Sequence, residues 1–246
     1  MPDPVVLNVL RNADELLEAL RLRPEATLSQ LAADTGIPRS TVYRLVDALA
    51  AMRMVTVTPA GVSLSRRWLG LADAARAAKR EWSQAREALR ALVRDTGFTA
   101  YLSVRVGDEA MCIHWEQGQG INVLVLRPGR TLPFYAGAAG RCFLSTLEEE
   151  QLTDYLGRTQ PVPFTDHTLV DADALRRDAE RTRQRGYALS IEDVTVGAGA
   201  IGMLIQDDTR TSLGCVSLAG VASHISVQQE GLAAQLREAL GCRRPP

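Results

Sequence analysis

Gly36-Ile37-Pro38-Arg39-Ser40-Thr41-Val42-Tyr43-Arg44-Leu45-Val46-Asp47-Ala48-Leu49 is the stretch from which the rest of the chain is read. As a helix entered through Gly36 and Pro38 it has two faces. Val42, Leu45, Val46 and Leu49 fall at i, i+3, i+4 and i+7, an apolar stripe made to pack on a core. Ser40, Tyr43, Arg44 and Asp47 share that spacing on the other side, with Arg39 and Thr41 in the first turn. Hydroxyls, an aromatic ring and arginines near a helix start suit phosphates and base edges in a major groove. Proline fits the first helical position, where its missing N–H would be unpaired anyway. An ordinary amphipathic surface helix would share the pattern, so the flanks decide.

Upstream, a helix is expected from about Val5 to Leu22, with Val9, Ala13, Leu16, Leu17 and Leu20 on one stripe. Arg23-Pro24-Glu25-Ala26 breaks it. Thr27-Leu28-Ser29-Gln30 has the form of a capping box, Thr27 closing the helix start and Gln30 reaching back. The short helix beyond it ends at Asp34-Thr35-Gly36, so the pair is a helix-turn-helix. Downstream, Met54–Thr58 and Val62–Leu64 read as strands joined by Pro59-Ala60-Gly61. Helix, helix-turn-helix and hairpin is the order of a winged helix.

Charge agrees locally and not globally. The 246-residue chain has a net charge of −1, with 46% hydrophobic and 23% charged residues. That describes a globular protein without a general basic field, so a nucleic-acid site must be a local patch. From Ile37 to Arg67, Arg39, Arg44, Arg53, Arg66 and Arg67 face Asp47 alone, a balance of +4.

Residues Arg67 to Asp95 give an uninterrupted helical pattern, about 40 Å long at ~1.5 Å per residue. This helix is read as a linker that also dimerises, burial in its own chain being the alternative; dimers suit paired half-sites. Beyond Thr96-Gly97, strand-like runs are expected at Phe98–Arg105, Glu109–Trp115 and Ile121–Leu126, then a loop over residues 128–133. Helices are expected at Ala136–Thr146, Leu147–Leu156 and Asp171–Arg185. Strands return at Tyr187–Ile191, Ala200–Ile205 and Ser212–Ala219, and a helix from about Ser226 to Leu240 closes the chain. The class is α+β with a mostly antiparallel sheet. The domains read as a winged helix-turn-helix over 1–66, the linker helix over 67–96 and the sheet domain over 97–246.

Enzyme signatures fail in context. Gly197-Ala198-Gly199-Ala200-Ile201-Gly202 has the spacing of a dinucleotide loop, but Met203-Leu204-Ile205 beyond it reads as strand and not as the helix a pyrophosphate needs. His114, His167 and His224 lack a local nucleophile motif. Cys112, Cys142, Cys215 and Cys242 show no metal-ligand spacing, so inert thiols, no metal and no cofactor are expected. No signal peptide is legible, and no apolar run reaches the ~20 residues of a membrane span. A cytoplasmic protein without a membrane partner is expected.

The chain resembles the isocitrate-lyase-regulator (IclR) family of bacterial transcription factors over nearly its full length. The resemblance rests on residues 27–32, residues 36–45 and the Gly61 hairpin. It continues in Arg130-Thr131-Leu132-Pro133-Phe134-Tyr135-Ala136-Gly137-Ala138-Ala139-Gly140-Arg141, in Arg185-Gly186-Tyr187-Ala188 with Glu192 and Gly197, and in Ser217-Leu218-Ala219-Gly220. It implies a winged helix, a linker helix and a GAF/profilin-like domain that binds a small organic effector. It also implies assembly as a homodimer or a dimer of dimers.

The expected function is a sequence-specific DNA-binding regulator, a repressor in preference to an activator. Arg39, Ser40, Thr41, Tyr43 and Arg44 are expected at the major groove of operator DNA, Ser29 and Gln30 at the backbone, Thr58 to Gly61 at the wing tip, and Arg66 or Arg67 near phosphate. By position the effector residues are Ala138, Ala139, Ser190, Ala200, Ser217 and Ala219. The family signature often carries aspartate at 190, cysteine or serine at 200, proline at 203 and a second hydroxyl at 219. Their loss implies a more apolar pocket, suited to an aromatic acid or lactone-like molecule, or a pocket with no effector. The helix start at Ala138-Ala139-Gly140 could still receive an anionic end. The alternatives are a ligand-binding protein or metabolic enzyme with an appended helical domain, and a winged helix used for protein contacts.

Overall fold

A computed structural model describes residues 7–77, 80–119, 126–206 and 212–241. It divides into two compact units, Met1–Lys79 and Arg80–Pro246.

The first unit holds α1 (Asn8–Leu22), α2 (Leu28–Thr35), α3 (Arg39–Ala51), strands β1 (Val55–Val57) and β2 (Val62–Leu64), and α4 (Arg67–Ala77). The capping box closes α2 as expected: Thr27 Oγ1 accepts from the Gln30 amide at 3.3 Å, and Gln30 Oε1 accepts from the Thr27 amide at 2.8 Å. Gly36 ends α2 at φ 68°, a left-handed turn natural to glycine. Pro38 serves as the cap residue and α3 begins at Arg39, one residue later than the sequence predicts. The apolar stripe of α3 is buried against Leu16, Leu20, Leu31, Ile37, Val55 and Val62, each fully buried leucine contributing about 1.5–3 kcal/mol. Val9 departs from the expected stripe and is exposed, as are Leu7 and Leu10.

The hairpin β1–β2 is antiparallel, and Val62 also bridges Ala26. A Cβ on Gly61 would meet the Ala26 carbonyl oxygen at 2.8 Å, so glycine is required there by close approach of two backbones. The segment between α3 and β1 is tied to the start of α4. Arg67 Nη1 donates to the Met52 carbonyl and Trp68 Nε1 to the Met54 carbonyl, both at 2.7 Å.

The second unit begins with α5 (Arg80–Thr96), then β3 (Thr99–Val106), β4 (Glu109–Glu116) and β5 (Thr131–Pro133). Next come α6 (Gly137–Leu144), α7 (Glu149–Arg158) and α8 (Ala172–Arg185). Strands β6 (Ala188–Ile191), β7 (Ala198–Gln206) and β8 (Ser212–Val221) and helix α9 (Ala222–Leu240) complete it. Among the described residues the strands form one antiparallel sheet in the order β5-β4-β3-β8-β7-β6. The expected strand at 121–126 lies almost wholly outside the described residues, as do Cys242 and residues 78–79 between α4 and α5. Where the sequence suggests a loop, Thr131–Pro133 pairs with β4 at the sheet edge, a place where proline costs no ladder bond.

Both sheet faces are covered. Ala85, Leu89 and Leu92 of α5 pack with Ile225, Leu232 and Leu236 of α9 on Ala100, Leu102, Ile201, Met203, Val216 and Leu218. The apolar stripe of α5 is thus used inside its own unit, while Leu69 and Leu71 of α4 are exposed. On the other face α6, α7 and α8 enclose Phe134, Phe143, Leu152, Tyr155 and Leu175. Gly199 and Gly202 lie within β7. A Cβ at Gly202 would stand 3.2 Å from Ala138, so this glycine lets the start of α6 settle on the sheet and no nucleotide loop exists there.

Candidate DNA interface and effector cavity

Each unit carries one candidate site. In the first, Ser29, Gln30, Arg39, Ser40, Tyr43 and Arg44 are all exposed, with Thr41 half-buried at the first turn of α3. Among the described residues nothing pairs with the guanidinium groups of Arg39, Arg44 or Arg66. Three other expected contacts are engaged within the fold. Gln30 spends its carbonyl oxygen on the α2 cap. The Thr58 hydroxyl donates to the Gly61 carbonyl and accepts from the Ala60 and Gly61 amides, so it shapes the wing turn. Arg67 donates to the Met52 carbonyl just past α3, which leaves Arg66 as the better placed cation.

In the second unit a cavity of about 250 Å³ lies between the start of α6, the 192–197 connection and the sheet. Ala138, Ala139, Ser190, Ala200, Ser217 and Ala219 all line it; the register explains why. Ala200 opposes Ala219 and Gly202 opposes Ser217 across β7–β8, and Ser217 opposes Tyr101 across β8–β3. Directly opposed residues in antiparallel strands point to one face, here the face under α6. The volume is at the small end for ligand pockets.

The wall is apolar, as the residues at 200 and 219 lead one to expect, with Leu132, Phe164 and Val194 added. Its polar groups go beyond the sequence expectation. Asp193, 1% exposed, accepts from the Gly137 amide at 3.1 Å, from Arg141 Nη1 at 3.3 Å and from the Ser190 hydroxyl. Arg141 grips Asp178 of α8 through Nε at 2.7 Å and Nη2 at 2.5 Å. Burial works against the Arg141 charge, but the hydrogen bonds and charges of Asp178 and Asp193 win and raise its pKa. The start of α6 is therefore already met by one carboxylate. Among the described residues the Ala138 and Ala139 amides keep no acceptor.

Two further groups reach the cavity. Arg130 stands at its exposed edge. Tyr101, stacked on Trp115 with centroids 6.2 Å apart, lines the sheet side. Sequence signals for the ion network exist: an arginine inside the small, apolar α6 must be paired if buried. Asp178 also sits at i+3 between Leu175 and Thr182 on the inward stripe of α8. Cys112, Cys142 and Cys215 are buried free thiols, and burial pushes Cys112 up to about 12. Among the described residues no cluster could hold a metal, and no helix is long and apolar enough to cross a membrane.

Each unit is matched by a family model. The family model for the C-terminal region of the bacterial transcriptional regulator IclR matches residues 82–241, and the IclR helix-turn-helix domain matches residues 9–59. The acetate operon repressor of Salmonella typhimurium is 30% identical over 208 residues, 81% of this chain and 74% of that protein. A crystal structure of an IclR transcriptional regulator from Silicibacter sp. TM1040 superposes with a TM-score of 0.85 at 25% identity, over 97% of this chain and 98% of that one. An IclR homolog from Microbacterium hydrocarbonoxydans, complexed with 4-hydroxybenzoate, shares the fold with a TM-score of 0.80 at 21% identity, over 95% and 96%.

Proposed function

The chain belongs to the IclR family of bacterial transcriptional regulators, and from that premise we propose that it is a repressor released from, or held on, its operator by a small organic acid with an apolar body. It is a DNA-binding regulator and not an enzyme. The rival reading, a metabolic enzyme with an appended helical domain, falls with that membership.

The DNA contacts are assigned from the exposed face of α3. Arg39, Ser40, Thr41 and Tyr43 read base edges and adjacent phosphates, Arg44 and Arg66 hold phosphate, and Ser29 braces the backbone beside α2. Thr58 and Gly61 act indirectly, by holding the wing turn that carries Pro59 and Ala60 to the groove. The protein works as a homodimer, or a dimer of dimers, on paired half-sites, and the exposed Leu69 and Leu71 of α4 fit the inter-subunit face. Its place of action is the cytoplasm.

The observation that carries the effector reading is the cavity itself: the six expected positions converge on one space whose walls are largely apolar. A very small oxo-acid would leave most of that surface uncovered, whereas a single ring covers it and places an oxygen on the Ala138 and Ala139 amides. The test is thermal-shift screening of the full chain, with operator retardation as a second readout. Aromatic acids should raise the melting temperature and alter retardation. Stabilisation by glyoxylate or pyruvate with none by aromatic acids would contradict the proposal.

A further inference from the structure

Tyr101 lines the cavity but has no part in effector binding at α6. The residue is 2% exposed, and among the described residues its buried hydroxyl has no hydrogen-bond partner, although buried polar groups are almost always satisfied. Burial first, and the neighbouring Cys112 second, push the phenol well above its usual range, so it stays protonated and able to donate.

Its position relative to the α6 amides is fixed by the sheet. Gly202, Ser217 and Tyr101 form one row across β7, β8 and β3. With strands ~4.8 Å apart, the backbone of Tyr101 lies about 10 Å from that of Gly202. Ala138 packs directly over Gly202. Ala138 and Ala139 at one end of the row and Tyr101 at the other thus line the same cavity.

We infer that Tyr101 is a specificity-determining residue of the cavity, donating a hydrogen bond to a second oxygen of the effector, away from the end held at Ala138 and Ala139. The inference rests on the reading of the cavity as an effector site and adds to it a selection rule. The preferred ligand is a ring with two separated polar ends, and the ring with one polar end binds less well. Truncating the phenol should remove the preference and not the binding.

The experiment titrates full-length protein with benzoate and with its 3- and 4-hydroxy derivatives by calorimetry, in wild type and Tyr101→Phe. Wild type should bind one hydroxy derivative about 3- to 10-fold more tightly than benzoate, the worth of one net hydrogen bond. In Tyr101→Phe that ratio should fall to about 1, with benzoate affinity unchanged. The unliganded variant should melt no lower than wild type, since a hydroxyl without a partner is what it loses. An unchanged ratio in Tyr101→Phe, or a wild type that does not discriminate, overturns the inference while leaving the effector reading standing. So does failure of all three probes when other organic acids still shift operator binding. If no acid shifts either melting or operator binding, both fall together.

Discussion

Arg141→Met should be the most damaging single substitution in the second unit, and the structure allows its size to be worked out. The Arg141 side chain is 8% exposed, and those of Asp178 and Asp193 2% each. One guanidinium serves both carboxylates, and the next cation, Arg181, stands 3.9 Å from Asp178 and is largely solvated. Methionine fills the space but strands two buried charges. Removing one partner of a buried pair costs about 3–5 kcal/mol, which for a domain of this size lowers the melting temperature by roughly 6–20 °C. Asp193 also holds the Gly137 amide, so α6 should loosen at the cavity and the response to effector should weaken. Tryptophan fluorescence gives the assay. Trp82 and Trp115 report on the second unit, and Trp68 in the first can be silenced as Trp68→Phe. A loss under about 1 kcal/mol in urea would refute the claim that this network holds the cavity together.

Two predictions concern function directly. Arg44→Ala should weaken operator and non-specific DNA by similar factors and flatten the salt slope by about 0.9 for each phosphate no longer neutralised; a fall confined to operator would mean that Arg44 reads a base. Gly202→Val should push the start of α6 off β7, because even a Cβ there stands 3.2 Å from Ala138. A cost of ~1–3 kcal/mol, abolished ligand-induced stabilisation and intact DNA binding are expected, and unimpaired ligand binding would show that α6 does not form the site.

The first unit is legible in the sequence because its signals are local. A capping box, a left-handed glycine and a stripe at i, i+3, i+4 and i+7 each act within a few residues. The winged helix emerges from them with errors of one residue, as at Pro38. The second unit is legible in class and in element order, but its cavity chemistry is not. Arg141 meets Asp178 and Asp193 across 37 and 52 positions, a separation at which spacing carries no information. The first six residues of β3 are buried because both sheet faces are covered, so no alternation marks Tyr101 as facing the cavity. Strand β5 is three residues long and gains its identity only from pairing with β4. The apolar stripe of α5 reads equally as a subunit contact until the sheet it covers is in place.

We propose that one chain couples an arginine-bearing recognition helix to an effector cavity, and this coupling is what makes it a regulator. The most direct test of the coupling is retardation of the promoter fragment beside its own gene, at increasing salt, with and without a hydroxylated benzoate. The complex should weaken steeply with salt and shift when the ligand is added. Arg39→Ala combined with Arg44→Ala should abolish the complex while the ligand still raises the melting temperature. A complex that survives both substitutions, or one that no organic acid alters, would contradict the proposal.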